Sequence, residues 1–220
     1  MKTFNFKNHR FQISKEGILF WHKKKIAIIS DLHLEKGSSF ALNGQFLPPY
    51  DSEETLSKIF SVIKNFDINK IILLGDTFHD HKSFNRMSEK ARFLFESLIK
   101  KYDVKFIIGN HEKNIKIKNI NFYNEYIIDG IYFIHEALKS DKYQITGHFH
   151  PVATMKISNR KITEKCLIHS SNKIILPSFG EYTGGLNIKN EIFKEHLSCR
   201  HKIYLLTKNS VYTFPSELFI

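Results

Sequence analysis

The chain has 220 residues, of which 42% are hydrophobic and 25% charged, proportions that exclude intrinsic disorder, a collagen-like repeat and a long coiled coil. Lys and Arg total 33 against 22 Asp and Glu, a formal net charge of +11; this excess suits a polyanionic partner, but a chain so rich in Ile, Asn and Lys also reads as AT-rich coding, so the basicity divides evenly between a binding surface and a solvated coat. The apolar runs fall far short of the roughly 18 residues of a membrane span, no secretory apolar region precedes Gly17 and the two cysteines, Cys166 and Cys199, make no CxxC pair, so the expectation is one cytoplasmic domain over residues 1–220 with no membrane attachment.

In chain order, Ile26 to Ser30 reads as the first buried strand. A helix comes next, with Asp51 and Glu54 spaced as a capping box after Pro48 and Pro49, and Leu56, Ile59, Phe60 and Ile63 at helical spacing. Lys70 to Leu74 is the next strand, Met87, Ala91, Leu94, Phe95 and Leu98 the next helical stripe, and Val104 to Ile108 the third strand. This alternation predicts an α/β protein with parallel connections. After Gly130, strand-like runs at Ile131, Tyr143, Val152, Cys166, Lys173, Ile203 and Val211 succeed one another with little helix between them. Two face-to-face sheets with helices outside would accommodate both halves.

The residues directly after each strand carry the chemistry. The strands run into Asp31-Leu32-His33, Gly75-Asp76, Gly109-Asn110-His111-Glu112, His135 and Gly147-His148-Phe149-His150. In open α/β sheets the carboxyl ends of strands line the ligand crevice, so these residues can converge although distant in sequence. The glycines are expected to let the backbone turn sharply there. Carboxylate, imidazole and amide ligands without thiolate suit Mn, Fe or Zn. Asp31, His33, Asp76, Asn110, His135, His148 and His150 exceed the needs of one tetrahedral ion. Two ions sharing a carboxylate would use them all, and such sites hold a bridging water as hydroxide for attack at phosphorus.

The series DLH at Asp31, GD at Gly75, GNHE at Gly109, His135 and GHFH at Gly147 resembles the calcineurin-like metallophosphoesterase superfamily over about residues 26–150. The resemblance implies a four-layer α/β/β/α sandwich, two mixed β-sheets flanked by helices. A narrower resemblance spans almost the whole chain: LEKGSSF at Leu34, LPPYDSEETL at Leu47, GDTFHD at Gly75, GHFHP at Gly147 and LPSFGEYTGGLNI at Leu176 look like the bacterial ligase-associated DNA damage response phosphoesterases, the PdeM group. The chain departs from that pattern at Glu112, where Asp is the commoner residue, and at Ala137, where a Pro is expected.

By resemblance, Asp31, His33 and His150 would hold one metal, Asn110, His135 and His148 the other, and Asp76 would bridge them. The cofactors implied are two divalent ions, manganese first, with iron or zinc as alternatives. His111 would face the leaving group as a catalytic residue, and Glu112 would orient His111. Asp80 is a candidate to buttress the site. The function implied is a phosphodiesterase or nuclease using metal-activated hydroxide on DNA or other nucleic acid, with a repair-associated link to an ATP-dependent DNA ligase and a helicase. The alternative is a phosphoesterase for a small nucleotide or other phosphorylated metabolite; a noncatalytic scaffold should have lost ligands, and none is missing.

Weaker candidates have ordinary readings beside them. His79 and His81 line the cleft or lie on a solvated loop, the loop being favoured. Lys36 to Tyr50, with Phe40 and Phe46, reads as a lid or as a base-stacking loop. Thr183, Gly184 and Gly185 read equally as a phosphate contact and as a tight turn. Cys166 with His169, and Cys199 with His196 and His201, follow no zinc spacing, and no P-loop or dinucleotide fingerprint is present.

Overall fold

The computed structural model describes residues 1–219 apart from 46, 114, 159 and 198–200. A seven-stranded sheet comprises, in spatial order, β1 (Lys2–Phe6), β2 (His9–Ile13), β3 (Leu19–Trp21), β4 (Ile26–Ile29), β5 (Lys70–Leu73), β6 (Asp103–Ile107) and β7 (Phe122–Tyr123). The first four strands pair antiparallel and β4 to β7 pair parallel. Every residue of β4 is apolar because both faces are covered. Ile26 and Ile28 enter one buried cluster, Ala27 and Ile29 another, the period-2 alternation of a strand between two layers.

The second sheet has nine strands: β8 (Tyr126–Ile128), β9 (Ile131–Phe133), β10 (Tyr143–Thr146), β11 (Pro151–Ile157), β12 (Arg160–His169), β13 (Lys173–Ile175), β14 (Leu186–Asn187), β15 (Lys202–Leu206) and β16 (Val211–Pro215). It too is mixed, with β9, β10 and β13 parallel and β12 antiparallel to its neighbours. Trp21, Ile28, Ile72 and Ile107 from the first sheet meet Phe133, Ile145, Leu167 and Ile174 from the second in one core. Among the described residues, five α-helices complete the fold: α1 (Lys36–Leu42), α2 (Asp51–Ile63), α3 (Ser83–Arg86), α4 (Glu89–Lys101) and α5 (Glu191–His196). Helices α2 and α4 cover the outer face of the first sheet through Leu56, Ile59, Phe95 and Leu98. On the other outer face, the short α5 contributes Phe193 beside Phe149 and Ile168. The result is an α/β fold of two mixed sheets with few helices. Among the described residues, no helix is long and apolar enough to cross a membrane.

One local expectation is corrected, and other features lie outside what the sequence reading covered. The β1–β2 hairpin was not expected, although Phe4, Phe6, Phe11 and Ile13 alternate and all are buried; Lys7 and Asn8, both at positive φ, close it. Asp51 does not cap α2. The N-cap is Tyr50, with no side-chain cap hydrogen bond, because the Asp51 carboxylate accepts the Gly37 N–H at 3.2 Å while Ser52 Oγ accepts that of Glu35 at 2.7 Å. These bonds tie α2 to α1, so the start of the Lys36–Tyr50 segment is a docked helix. Phe46 lies outside the described residues. Helix α4 is capped by Ser88, whose Oγ accepts the Ala91 N–H at 3.1 Å.

Candidate metal centre

Strands β4, β5, β6, β9 and β10 deliver their ligands at one edge of the two sheets. The turning is done by the ligands themselves: Asp31, His33, Asp76, His148 and His150 all have φ between 44° and 69°, an unfavourable region for residues with a side chain. Gly75 alone of the three predicted glycines uses positive φ, at 85°. Gly109 and Gly147 are needed for space. A Cβ at Gly109 would overlap the Asp76 amide and carboxylate, and one at Gly147 would overlap Ser30 Oγ and the Asp31 carboxylate. Gly147→Ala is therefore expected to lower stability by about 1–3 kcal/mol or more, as overpacking does, and to weaken metal uptake at the same time. Thermal unfolding and a manganese titration would show both; a variant with wild-type values in each would contradict this close approach.

The structure brings the predicted ligands into two adjoining groups. Donor atoms of Asp31, His33 and His150 lie within 4.8 Å of one another, and so do those of Asp76, His135 and His148. In the first, His150 Nε2 is 3.2 Å from both His33 Nε2 and Asp31 Oδ1. In the second, His135 Nε2 is 3.2 Å from His148 Nδ1 and 3.4 Å from Asp76 Oδ2. The Asn110 amide lies 3.2 Å from His148 Nδ1. Asp76 Oδ2 is also 3.9 Å from His33 Nε2, which places this carboxylate between the groups.

The donor set fits divalent cations. His135 Nδ1 donates to the Leu74 carbonyl at 2.8 Å and His150 Nδ1 to that of Gly184 at 3.2 Å. Those bonds leave each Nε2 lone pair aimed inward, the arrangement of metal-binding imidazoles. Burial opposes charge on Asp31 and Asp76, but His150 and His135 outweigh it and hold both carboxyls below their usual range. Burial likewise opposes charge on His135, yet Asp76 and Asp31 raise it to about 9. His33 is pushed down to about 3, chiefly by burial, and His148 is lowered by burial and by His135. The site therefore concentrates two ionised carboxylates against imidazoles that a cation can draw on.

His111 is partly exposed beside the second group. Its Nδ1 is 2.5 Å from the His79 carbonyl and its Nε2 is 3.8 Å from Asp76 Oδ2. Glu112 does not orient it, which corrects the sequence expectation. The carboxylate is almost fully buried and accepts N–H groups from Asp76, Thr77, Phe78 and Gly109. The physical reason is that two ligand-bearing turns meet there with four backbone donors to be satisfied. Burial raises this carboxyl to about 7 despite those bonds.

His79 is corrected from solvated loop to cleft wall. Its ring lies 5.4 Å from that of His111 and 5.9 Å from that of His33, and burial, then the charges of His111 and Lys36, push it down to about 4. His81 is exposed. Asp80 reaches no ligand but pairs with Arg86 at 2.6 and 2.9 Å, and Arg86 also donates to Ser38 Oγ at 3.0 Å. Lys36 is half-buried at the lip, its Nζ 5.6 Å from the Phe40 ring. Thr183 and Gly184 serve a turn and the His150 contact. Cys166 is buried in the apolar core and Cys199 lies outside the described residues. Arg86 and Ser30, whose Oγ donates to the Asp31 carboxylate, escaped the sequence reading; Ser30 had a signal in its place at the strand end, whereas nothing in the spacing singles out Arg86.

Comparison with known proteins agrees with this geometry. The family model described as calcineurin-like phosphoesterase matches residues 24–207. No curated protein sequence matches the chain. Among solved structures, the Pseudomonas putida nuclease MPE is similar at 20% identity and a TM-score of 0.75, over 97% of this chain and 99% of that one. A predicted phosphoesterase from Streptococcus pneumoniae (10% identity, 86% and 96% coverage) and Vps29 complexed with zinc from Entamoeba histolytica (14%, 86% and 97%) have TM-scores of 0.36 and 0.37. With the match covering most of the chain and the motif residues gathered at one sheet edge, the chain belongs to the calcineurin-like phosphoesterase family of metal-dependent hydrolases.

Proposed function

We propose that the chain is a two-metal phosphodiesterase acting on nucleic acid, DNA in the first place, with manganese as the working ion. The observation that carries this reading is the position of Asp76 Oδ2, 3.4 Å from His135 and 3.9 Å from His33, one carboxylate oxygen serving both groups. Asp31, His33 and His150 would hold one ion, and Asn110, His135 and His148 the other. When bound, such a pair activates water and neutralises charge at phosphorus.

The chain's own residues do the rest. Asp76 keeps the two ligand groups in register. With Nδ1 held by the His79 carbonyl, the His111 ring presents Nε2 to the cleft, where as the imidazolium it can give its Nε2 proton to an alkoxide leaving from a diester and return to the neutral ring. Lys36 adds positive charge at the lip, which favours a polyanion. The likeness in fold to the Pseudomonas putida nuclease MPE and the LPSFGEYTGG resemblance support DNA as substrate and a functional link to an ATP-dependent ligase and a helicase.

The test uses metal-stripped protein resupplied with Mn²⁺, Fe²⁺ or Zn²⁺ on bis-p-nitrophenyl phosphate, p-nitrophenyl phosphate, supercoiled DNA and single-stranded DNA. Manganese-dependent cleavage of the diester and of DNA is the expected result. Turnover of the small esters without DNA cleavage would move the substrate to a small phosphorylated metabolite, and no turnover with any ion would overturn the proposal.

A further inference from the structure

A lysine behind the metal centre has no part in the hydrolytic chemistry. Lys165 lies on β12, half-buried, paired in register with Val152 of β11. Its Nζ donates to the Ser178 carbonyl at 2.8 Å, the Gly180 carbonyl at 3.1 Å and Thr183 Oγ1 at 3.1 Å. An ammonium has three donors, and all three are spent on one segment, 176–185, which lies beyond β13. Thr183 Oγ1 in turn donates to the Gly180 carbonyl at 3.0 Å and is 2.7 Å from Ser178 Oγ, so the segment is folded around the Lys165 ammonium, with Lys58 also against it, 3.3 Å from Glu181 Oε1 and 4.8 Å from the Phe179 ring.

The same segment grips one half of the metal centre. The Phe179 N–H donates to the Ser30 carbonyl at 2.9 Å and the Gly180 N–H to the Asp31 carbonyl at 3.1 Å. A side chain at Gly180 would overlap the Leu32 carbonyl, so the fit along the Asp31–His33 turn is close. The Gly184 carbonyl accepts from His150 Nδ1, and the Leu186 N–H donates to the His150 carbonyl at 3.1 Å. The other half has supports of its own, the Leu74 carbonyl on His135 and Glu112 on the Asp76 N–H, although the His148 N–H donates to the Asp31 carboxylate at 3.1 Å and the Leu176 N–H to the Thr146 carbonyl at 2.8 Å.

We propose that Lys165 is the positioning residue for the Asp31–His33–His150 half of the centre, fixing the segment whose carbonyl orients His150 and whose N–H groups hold the Asp31 backbone. The assignment rests on the two-metal reading of the site. It predicts asymmetry, because loosening 176–185 releases the side-chain anchor of His150 and the backbone of Asp31 directly, while His135 keeps the Leu74 carbonyl and Asp76 keeps Glu112.

The experiment is calorimetric titration of Mn²⁺ into metal-stripped wild type, Lys165→Met, Thr183→Val and His150→Ala, with a melting temperature for each metal-free protein. Wild type is expected to take two equivalents. In Lys165→Met one should bind as in wild type and the other about 10- to 100-fold more weakly, the effect usual for a lost supporting partner of a metal ligand, so that its isotherm approaches that of His150→Ala. Thr183→Val, which removes one of the three acceptors at nearly constant shape, should show a smaller loss in the same equivalent, and it carries the test should Lys165→Met not fold. Two equivalents bound with wild-type affinity by the variants, even at a lower melting temperature, would reduce Lys165 to a structural role and overturn the proposal. Equal weakening of both equivalents would overturn it too. A wild type that binds fewer than two ions refutes the two-metal reading itself, which is seen before any variant is compared.

Discussion

Asp76→Asn should lose both bound metal and diester turnover, whereas His111→Ala should lose turnover alone. Asp76 Oδ2 approaches inward-facing Nε2 atoms of both groups, at 3.4 Å from His135 and 3.9 Å from His33. An amide there removes a negative charge and can present N–H groups to those nitrogens. His111 approaches the same oxygen at 3.8 Å, but its ring is anchored through the His79 carbonyl and stands partly in solvent, so its removal leaves the ligand groups in place. A positioned general acid contributes about 100- to 10,000-fold, and kcat on bis-p-nitrophenyl phosphate should fall within that range in His111→Ala at unchanged manganese content. Metal analysis after gel filtration, paired with steady-state rates, separates the two variants. The reverse pattern, metal lost in His111→Ala and kept in Asp76→Asn, would exchange the roles of the two residues.

Glu112→Ala should be among the most destabilising single changes in the chain. The carboxylate is 1% exposed and serves as acceptor for four backbone N–H groups, from Asp76, Thr77, Phe78 and Gly109. Removing one partner strands the others, at about 1–3 kcal/mol for each buried group left unsatisfied. Relaxation and water entry recover part of that, and a net loss of about 3–5 kcal/mol is expected, as for removal of one member of a buried charged arrangement. For a domain of this size that lowers Tm by roughly 10 °C. Glu112→Gln keeps one acceptor oxygen but turns an NH₂ toward donors, so it should fall between Ala and wild type. Circular dichroism melts of metal-stripped protein measure this without interference from ion binding. A Glu112→Ala melt matching wild type would mean that the two turns hold each other without the carboxylate.

His111 and Glu112 belong to one turn, Gly109 to Glu112, whose residues act at different depths. His111 stands partly in solvent beside the cleft. Glu112, its neighbour, points the other way and holds the loop that carries Asp76. A carboxylate next to a histidine is readily taken as its partner, and the structure shows that the backbone direction at this turn sends the two side chains apart.

Much of the site was legible because strand ends are a local property. Ile26 to Ile29, Lys70 to Leu73 and Tyr143 to Thr146 are short strands rich in apolar residues, and the polar residues within a few positions after each lie at the sheet edge. The five strand-end motifs therefore placed Asp31, His33, Asp76, Asn110, His135, His148 and His150 together from the order of residues alone. The two-sheet layering was legible for a related reason: strands apolar at every position need cover on both faces, as Ile26 and Ile28 on one side and Ala27 and Ile29 on the other now show. What the tertiary structure alone decided depends on approach between distant backbone segments. The need for glycine at 109 and 147 comes from Asp76 and Ser30, which lie far away in sequence. The Asp51 carboxylate left its expected cap because Gly37 offered an N–H nearby, the Glu112 acceptor role required the Asp76 turn to arrive beside it, and the grip of Lys165 on segment 176–185 joins a residue of β12 to the connection between β13 and β14. Periodicity along a chain records which side of an element is buried; it holds no record of which donor will meet a given oxygen, because that is settled only when the layers close.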